Sequence, residues 1–318
     1  MSKFKTWLED FINGCDGIAV YFVDDANQIH DSDIDSKVLA KFRTAFCQDL
    51  RKKYTDSDDF EVEKLSTFEE RPHTLYGYDF SPREMPLEFK LTQKVLDIKP
   101  TDTIPKYQVK ANKLSGIRGA IVLLTKGISE SIAFYQHIFP VSLLGPDKGV
   151  LNLTTHATRL IELESDVLKL NTKFVFMQCT HGYFVENVGV LETNLHFKKA
   201  INTRAKKYAG EILSMGLVED TTVILDRIEK EPTYAKKLIS AYKNSMVISQ
   251  KIPSTDMIAF AQKKEYYSKY LKPNKNGKSF VIDGVTKSKR FLELLNDNFL
   301  ISELTNTEYL ARSKKAFK

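Results

Sequence analysis

The stretch GAIVLLTKGISESIAFYQHIF, residues 119–139, decides the fold. Two apolar runs flank a polar centre, and the Lys126-Gly127 pair at that centre indicates a turn. The pattern predicts strands over Gly119–Leu124 and Ser131–Phe139, joined by this turn.

The residues that follow repeat the same pattern. Strands are predicted over Ala157–Leu163, Lys173–Cys179 and Gly182–Val188, and the last two share a tight turn at residues 180–182 that is typical of a hairpin. Several short strands in succession with tight turns predict a mostly antiparallel central sheet or a small barrel.

The N-terminal region mixes helices and strands. An amphipathic helix is predicted over residues 2–13, a strand over Gly17–Val23, and a longer helix over about Ser36–Tyr54, where apolar residues recur at helical spacing. The run FEVEKL, residues 60–65, alternates apolar and polar side chains and predicts a half-exposed strand. A proline-rich stretch follows, with one short helix around Glu84–Leu96.

The last part of the chain is helical and basic. An apolar stripe begins at Phe197, and a further helix over residues 232–247 has a proline at its start. Ser254 can cap another helix that runs to about Tyr270. In the closing stretch, residues 286–318, a short helix precedes an extended run, and a capping box formed by two residues of this stretch, Thr305 and Glu308, predicts a final helix.

These elements predict an α+β fold in three parts. They are an N-terminal mixed α/β region, a central mostly antiparallel sheet or small barrel, and a basic helical C-terminal part. The boundary near Gly145–Gly149 divides the chain into residues 1–148 and residues 149–318.

Charge is unevenly distributed along the chain. Residues 197–318 hold 24 Lys and Arg against 13 Asp and Glu, a net charge of +11, whereas residues 1–196 hold 23 against 28, a net charge of −5. A cationic half on a near-neutral body is typical of a surface that meets nucleic acid or anionic lipid. The alternative is a lysine-rich surface that only keeps the protein in solution.

Proteins contact duplex DNA first through its phosphates, and lysine and arginine supply that contact. The basic helices and the closing stretch therefore provide the candidate DNA-binding residues. These are Lys199, Arg204, Lys206, Lys207, Lys236, Lys237, Lys287, Lys289, Arg290, Arg312, Lys314 and Lys315. No motif that reads bases accompanies them, so little sequence preference is expected.

Two groups of these cations differ in their relation to a helix dipole. Lys287, Lys289 and Arg290 lie in or just before the first turn of their predicted helix, where cations oppose the dipole unless an anion binds there. The three cations that end the final predicted helix lie where the dipole favours them, so they need no ligand. The first group is therefore the stronger candidate for phosphate contact.

The sequence offers little support for a catalytic or metal site. The patterns of phosphate-binding loops and of serine nucleophile elbows are absent, and the six histidines show no helical metal spacing. The enzymatic alternative is a Mg²⁺-dependent nuclease, because residues 61–64 (EVEK) and 88–90 (EFK) contain parts of a Glu-x-Lys site. Such triplets are frequent in a charged chain, so the protein is expected to be no enzyme and to hold no metal or cofactor.

Cysteine usage and hydropathy indicate the compartment. Cys15, Cys47 and Cys179 are far apart in sequence and form no CxxC pair, so they are predicted to be buried free thiols. No apolar run is long enough to cross a bilayer, and the N-terminus carries acidic residues where a signal peptide needs an apolar stretch. A cytoplasmic protein is expected.

The run LLNDNFLISELTNTEYLARSK, residues 294–314, is similar to the KwaB family of the bacterial Kiwa anti-phage defence system. The order of elements from about Lys173 onward supports this resemblance, which covers roughly the C-terminal half. It implies a role in phage defence beside a membrane-embedded partner, KwaA, with DNA binding as part of the effector step and self-association into dimers. It supplies no map of site residues.

Charge and resemblance together lead to one main expectation and two alternatives. We expect a cytoplasmic antiviral protein that binds double-stranded DNA through its basic C-terminal surface and is held at the inner membrane only through its partner. The first alternative is a Mg²⁺-dependent nuclease of the same defence system. The second is an interaction scaffold that does not bind DNA.

Overall fold

The chain divides into two units. The computed structural model describes residues 3–68, 71–99, 101–109, 113–144, 153–156, 159–162, 165–302, 304–305 and 307–311. The first unit comprises Met1–Glu63 and Glu70–His196, and the second comprises Lys64–Glu69 and Phe197–Lys318. The boundary predicted between residues 148 and 149 lies outside the described residues, and the described residues on both sides of it belong to the first unit.

The first unit contains helices and most of the strands. Its helices are α1 Lys3–Gly14, α2 Ser36–Leu50, α3 Leu87–Leu96 and α4 Val188–Thr193. Its strands are β1 Gly17–Asp24, β2 Ile29–Asp31, β3 Glu61–Lys64, β4 Thr74–Gly77, β5 Ile117–Lys126, β6 Glu130–His137, β7 Leu143–Leu144, β8 Leu153–His156, β9 Arg159–Glu162, β10 Val167–Leu168, β11 Phe176–Cys179 and β12 Gly182–Val185.

Eight of these strands form one sheet in the order β2-β1-β5-β6-β11-β12-β4-β3. From β2 to β4 in this order, neighbouring strands pair antiparallel, as the sequence predicts. The strands that begin and end this order are not neighbours, so the described residues form an open sheet and the small-barrel alternative is wrong. The separate pairs β7–β10 and β8–β9 lie outside this sheet.

The hairpin of β5 and β6 is the centre of the first unit. Its register runs from Gly119 opposite His137 to Lys126 opposite Glu130, and Gly127 adopts a φ of +60° in the turn. This left-handed conformation costs glycine little, which explains the turn at this position. The predicted turn and both predicted strands are confirmed.

Both faces of this hairpin are covered, which explains why its strands are almost continuously apolar. On one face, Ala120 and Val122 of β5 join a core with Leu8 of α1 and Phe46 of α2. The alternate residues point to the other face, where α3 packs on the sheet. There the ring of Phe89 lies 4.2 Å from that of Phe176.

The second unit is mainly helical. Its helices are α5 Lys198–Ser214, α6 Thr222–Lys230, α7 Pro232–Asn244, α8 Met246–Ser249, α9 Ser254–Lys263, α10 Glu265–Ser268 and α11 Val285–Leu295. Its strands form two hairpins, and they are β13 Lys272–Pro273, β14 Phe280–Val281, β15 Phe299–Ile301 and β16 Glu308–Leu310. The predicted proline at the first position of α7 is confirmed.

The closing stretch differs from its prediction. Phe299 pairs with Leu310 and Ile301 with Glu308, so a β-hairpin occupies the place of the predicted final helix. The Ser302 amide donates to the Thr307 carbonyl at 3.0 Å, and this bond closes the turn. The capping box was therefore a wrong prediction, because the alternating residues of β16 find a partner strand in β15.

Candidate nucleic-acid interface

Helix α5 carries four of the predicted DNA-binding residues, and three of them have partners within the second unit. Arg204 donates to the Tyr208 hydroxyl at 3.3 Å. Lys206 forms an ion pair with Glu229 of α6 at 2.7 Å, and Lys207 pairs with Glu211 at 3.6 Å. The fourth, Lys199, is exposed in the first turn, where the helix dipole disfavours a cation.

Helix α7 presents the next two predicted residues. Ala235, Leu238 and Ile239 are buried, so the helix lies with this face against the unit. Lys236 is half-buried, and its ammonium lies 5.9 Å from the ring centroid of Phe68. Lys237 is exposed to solvent.

The cations of α11 do not all lie in the helix turn that the sequence predicts for them. The helix begins at Val285, so only Lys287 lies in its first turn, whereas Lys289 and Arg290 lie in the second. Lys287 pairs with Asp283 at 2.6 Å and holds the pKa of that carboxyl below its ordinary value. A nearby carboxylate, instead of a bound anion, therefore compensates the cation at this helix start.

Arg290 belongs to the packing of the second unit. Its guanidinium pairs with Glu293 at 2.7 Å and lies 4.2 Å from the ring centroid of Tyr266, whose hydroxyl it also contacts. The second nearby ring is that of Tyr270, at 5.4 Å. Burial, together with the Glu293 carboxylate, raises the pKa of the Tyr266 hydroxyl. Arg290 therefore joins α10 to α11, and of the three α11 cations Lys289 is the one that is exposed.

The last three predicted residues, Arg312, Lys314 and Lys315, lie outside the described residues. Nothing in the structure tests their role. They remain predictions from charge alone.

A lysine series that is not among the predicted DNA-binding residues begins directly after α10 and continues along the β13–β14 hairpin. Its members, Lys269, Lys272, Lys275 and Lys278, recur at every third position and are all exposed. No Asp or Glu occurs between Glu265 and Asp283. This regular spacing within an acid-free window was a signal available in the sequence.

The turn that presents these lysines is fixed by hydrogen bonds. The Asn274 side chain accepts from the Lys278 amide at 3.1 Å, and Gly277 adopts a φ of +71°. The Ser254 hydroxyl donates to the Lys278 carbonyl at 2.6 Å and joins the turn to the start of α9. The lysine backbone is therefore ordered while the ammonium groups face solvent.

Three of the predicted residues and the four lysines of this series are exposed and form no ion pair with a carboxylate in the part of the chain that the structure describes. We call them the unpaired lysines. They are Lys199, Lys237, Lys269, Lys272, Lys275, Lys278 and Lys289. Because their charge is not compensated locally, they are the cations of this unit most available to a polyanion.

Glutamates of both fragments that suggested a nuclease form ion pairs with arginines. Glu88 lies on α3 instead of a strand, is buried, and pairs with Arg118 at 3.0 Å. Glu61 of β3 faces Arg71 at 3.5 Å. Among the described residues, no group of three or more His, Cys, Asp or Glu side chains is placed to hold a metal ion.

A polar cleft in the first unit has several of its polar groups engaged in contacts with neighbouring residues. It is lined by Arg71, Pro72, Tyr76, Glu186, Asn187, Val188 and Gly189. The Tyr76 hydroxyl accepts from the Arg71 amide at 2.8 Å, and Asn187 caps α4 through the Val190 amide at 2.9 Å. Glu186 pairs with Lys53. These contacts join the residues that line the cleft.

Within the described ranges, the helices are too short or too polar for any of them to traverse a bilayer.

Comparison with known proteins identifies the family. Residues 114–305, more than half of the chain, match the family described as Kiwa protein KwaB-like. The Kiwa protein KwaB of Escherichia coli O55:H7 (strain RM12579 / EPEC) is 25% identical over 313 residues, which cover 98% of this chain and 97% of that protein. No solved structure matches the chain.

The similarity extends further than the closing stretch indicated. The resemblance predicted from the sequence covers the C-terminal half, whereas the E. coli protein aligns with both units. This similarity supports the coarse functional prediction, a component of Kiwa anti-phage defence. The chain belongs to the KwaB-like family of Kiwa proteins.

Proposed function

We propose that this KwaB-like chain acts in anti-phage defence by binding double-stranded DNA through the basic surface of its second unit. The observation that supports the proposal is the set of unpaired lysines, four of which occupy a window without acidic residues. Phosphate contacts made by such flexible ammonium groups carry no sequence information, so the binding has little sequence preference.

The proposal includes the assembly that the family resemblance implies. The protein is cytoplasmic, forms homodimers and reaches the inner membrane through the membrane protein KwaA. Its effect on DNA is binding without catalysis, and it uses no cofactor. Co-purification with KwaA from membranes and light scattering of the purified chain test the two protein contacts.

A salt titration tests DNA binding directly. Binding to a random duplex is measured at salt concentrations between about 50 and about 200 mM. If four to seven unpaired lysines contact phosphates, the affinity falls by about 10²- to 10⁴-fold over this range, because each contact releases a counterion. A chain that forms no complex even at the lowest salt is a scaffold, and the proposal is then wrong.

Charge reversal locates the surface. The triple variant Lys272→Glu, Lys275→Glu, Lys278→Glu is expected to lose at least about tenfold in affinity and to flatten the salt dependence. The matched control is Lys37→Glu, Lys41→Glu, Lys52→Glu, which changes the same number of exposed lysines in the first unit. Equal losses in both variants would show that net charge, and not this surface, governs binding.

A cleavage assay separates binding from catalysis. Plasmid DNA is incubated with the protein with and without Mg²⁺ and is then deproteinised and inspected for cuts. Binding without cuts supports the proposal. Mg²⁺-dependent cuts that disappear in the Glu63→Gln or Glu88→Gln variant would establish the nuclease alternative instead.

A further inference from the structure

Two cysteines that are far apart in sequence meet in the first unit. Cys15 follows α1, and Cys47 lies one turn before the end of α2. Both are half-buried against the same core. The Cys15 thiol donates to the Gly17 carbonyl at 3.7 Å, and the two thiols lie close enough for each to shift the pKa of the other. The Arg51 guanidinium donates to Asn13 Oδ1 at 2.8 Å and holds the end of α1 against α2.

The surroundings of the pair give its two thiols different pKa values. The Cys15 thiol and then the guanidinium groups of Arg43 and Arg51 lower the pKa of Cys47 to about 7. These arginines stand four residues on either side of Cys47, so all three share one face of the helix. The interaction with Cys47, followed by burial, raises the pKa of Cys15. Cys47 is therefore the more acidic of the two thiols.

Cys179 provides a comparison within the same unit. It is buried on β11, and desolvation raises its pKa to about 11. A thiol in such surroundings stays protonated at neutral pH and reacts slowly. The sequence gives no indication of this difference, because all three cysteines are isolated in it.

We propose that Cys47 is a site of oxidation by hydrogen peroxide and that Cys15 resolves the oxidised thiol into a Cys15–Cys47 disulfide. The half-exposed position of both thiols gives peroxide access, and their contact places the second thiol where the first is oxidised. The proposal is independent of DNA binding, which it neither requires nor explains.

The chemistry balances in two steps. The Cys47 thiolate attacks one oxygen of peroxide, the O–O bond breaks, an S–O bond forms, and hydroxide leaves to become water, giving the sulfenic acid. The Cys15 thiol then loses its proton as its sulfur attacks that of Cys47, the S–S bond forms, the S–O bond breaks, and a second water leaves. One peroxide is reduced by two electrons, which the two thiols supply.

The experiment is peptide mapping of the full chain after peroxide treatment. Trypsin releases Cys15 in residues 6–37 and Cys47 in residues 44–51, so a disulfide joins two separable peptides. We expect the joined pair, lighter by two hydrogen atoms, and a thioredoxin-type reductant should reverse it. Cys179 should remain free and alkylatable in the same sample.

Two variants assign the roles. In Cys15→Ser the sulfenic acid persists, so dimedone should label Cys47, and in Cys47→Ser neither the disulfide nor the label should form. The labelling rate should rise between about pH 6 and about pH 8, because the thiolate fraction grows through the pKa of Cys47. Labelling of Cys179 ahead of Cys47, or wild-type protein in which Cys15 stays free after Cys47 is oxidised, would overturn the proposal.

Discussion

Each unit contains an arginine–glutamate pair that joins its elements. In the first unit, Glu88 of α3 pairs with Arg118 of β5 at 3.0 Å. In the second unit, Arg227 of α6 pairs with Glu231 at 2.5 Å and donates to the Ser288 hydroxyl of α11 at 2.7 Å. The pairs differ in which partner is buried, because the carboxylate is covered in the first unit and the guanidinium in the second.

The two units differ in the net charge of the regions that contain their lysines. In the first unit, Lys106 pairs with Asp33 and Lys126 with Asp10, within a region of net charge −5. In the second unit Lys206 and Lys287 are paired in the same way, whereas the unpaired lysines lie in a region of net charge +11. A count of net charge therefore does not distinguish the cations that stabilise the fold from the cations that face solvent. Only the cations that face solvent are available to a polyanion.

Arg118→Met should have the largest effect on stability. It leaves the carboxylate of Glu88, which is 6% exposed, without its cation. Removing one partner of such a buried pair costs about 3–5 kcal/mol in the free energy of unfolding, measurable by urea denaturation. The double variant Arg118→Met, Glu88→Leu should recover most of this loss, because no buried charge remains. A double variant as unstable as the single one would contradict this account.

Arg227→Met should cost less, about 1–3 kcal/mol, because the remaining carboxylate of Glu231 is 39% exposed and stays hydrated. The loss comes from the hydrogen bonds to Ser288 and Val285 and from packing on Tyr234, whose ring centroid lies 3.9 Å from the guanidinium. Lys230→Met, which breaks an exposed pair on the same helix, is the control and should change stability by less than about 0.5 kcal/mol.

The effect of Arg227→Met should also depend on pH. Arg227 holds the pKa of Glu231 below its ordinary value. A carboxyl group whose pKa is lower in the folded chain than in the unfolded chain stabilises the fold at pH values above its unfolded pKa. This stabilisation is lost as the pH falls through the folded pKa. The difference between wild type and Arg227→Met should therefore shrink below about pH 4. An unchanged difference would show that packing on Tyr234 carries the whole effect.

The hairpin at residues 119–139 could be predicted because its signals are local. The glycine turn and the flanking apolar runs lie within one short segment, and the start of α7 is marked by Pro232. The final hairpin could not be predicted in the same way. Its strand β16 is defined by pairing with β15, and a local capping pattern at Thr305 suggested the opposite structure.

The candidate site was less accessible to prediction than the fold. Lys289 and Arg290 are neighbours in sequence, yet one faces solvent and the other packs on Tyr266, which lies 24 residues earlier. Similarly, Cys15 and Cys47 meet only because the end of α1 packs on α2. Charge counts locate the basic unit. Which of its cations are available to a polyanion depends on contacts with residues that are distant in sequence.

Single lysine substitutions test this distinction with the smallest expected effect. Lys272→Gln should reduce the slope of log affinity against log salt by about one, because it removes one phosphate contact. Lys206→Gln should reduce it by about half as much or less, since Glu229, at 2.7 Å, already neutralises that ammonium. Both variants should unfold within about 0.5 kcal/mol of wild type, because both side chains lie at the surface. Equal slope changes would show that DNA displaces the carboxylate, and paired and unpaired lysines would then belong to one binding surface.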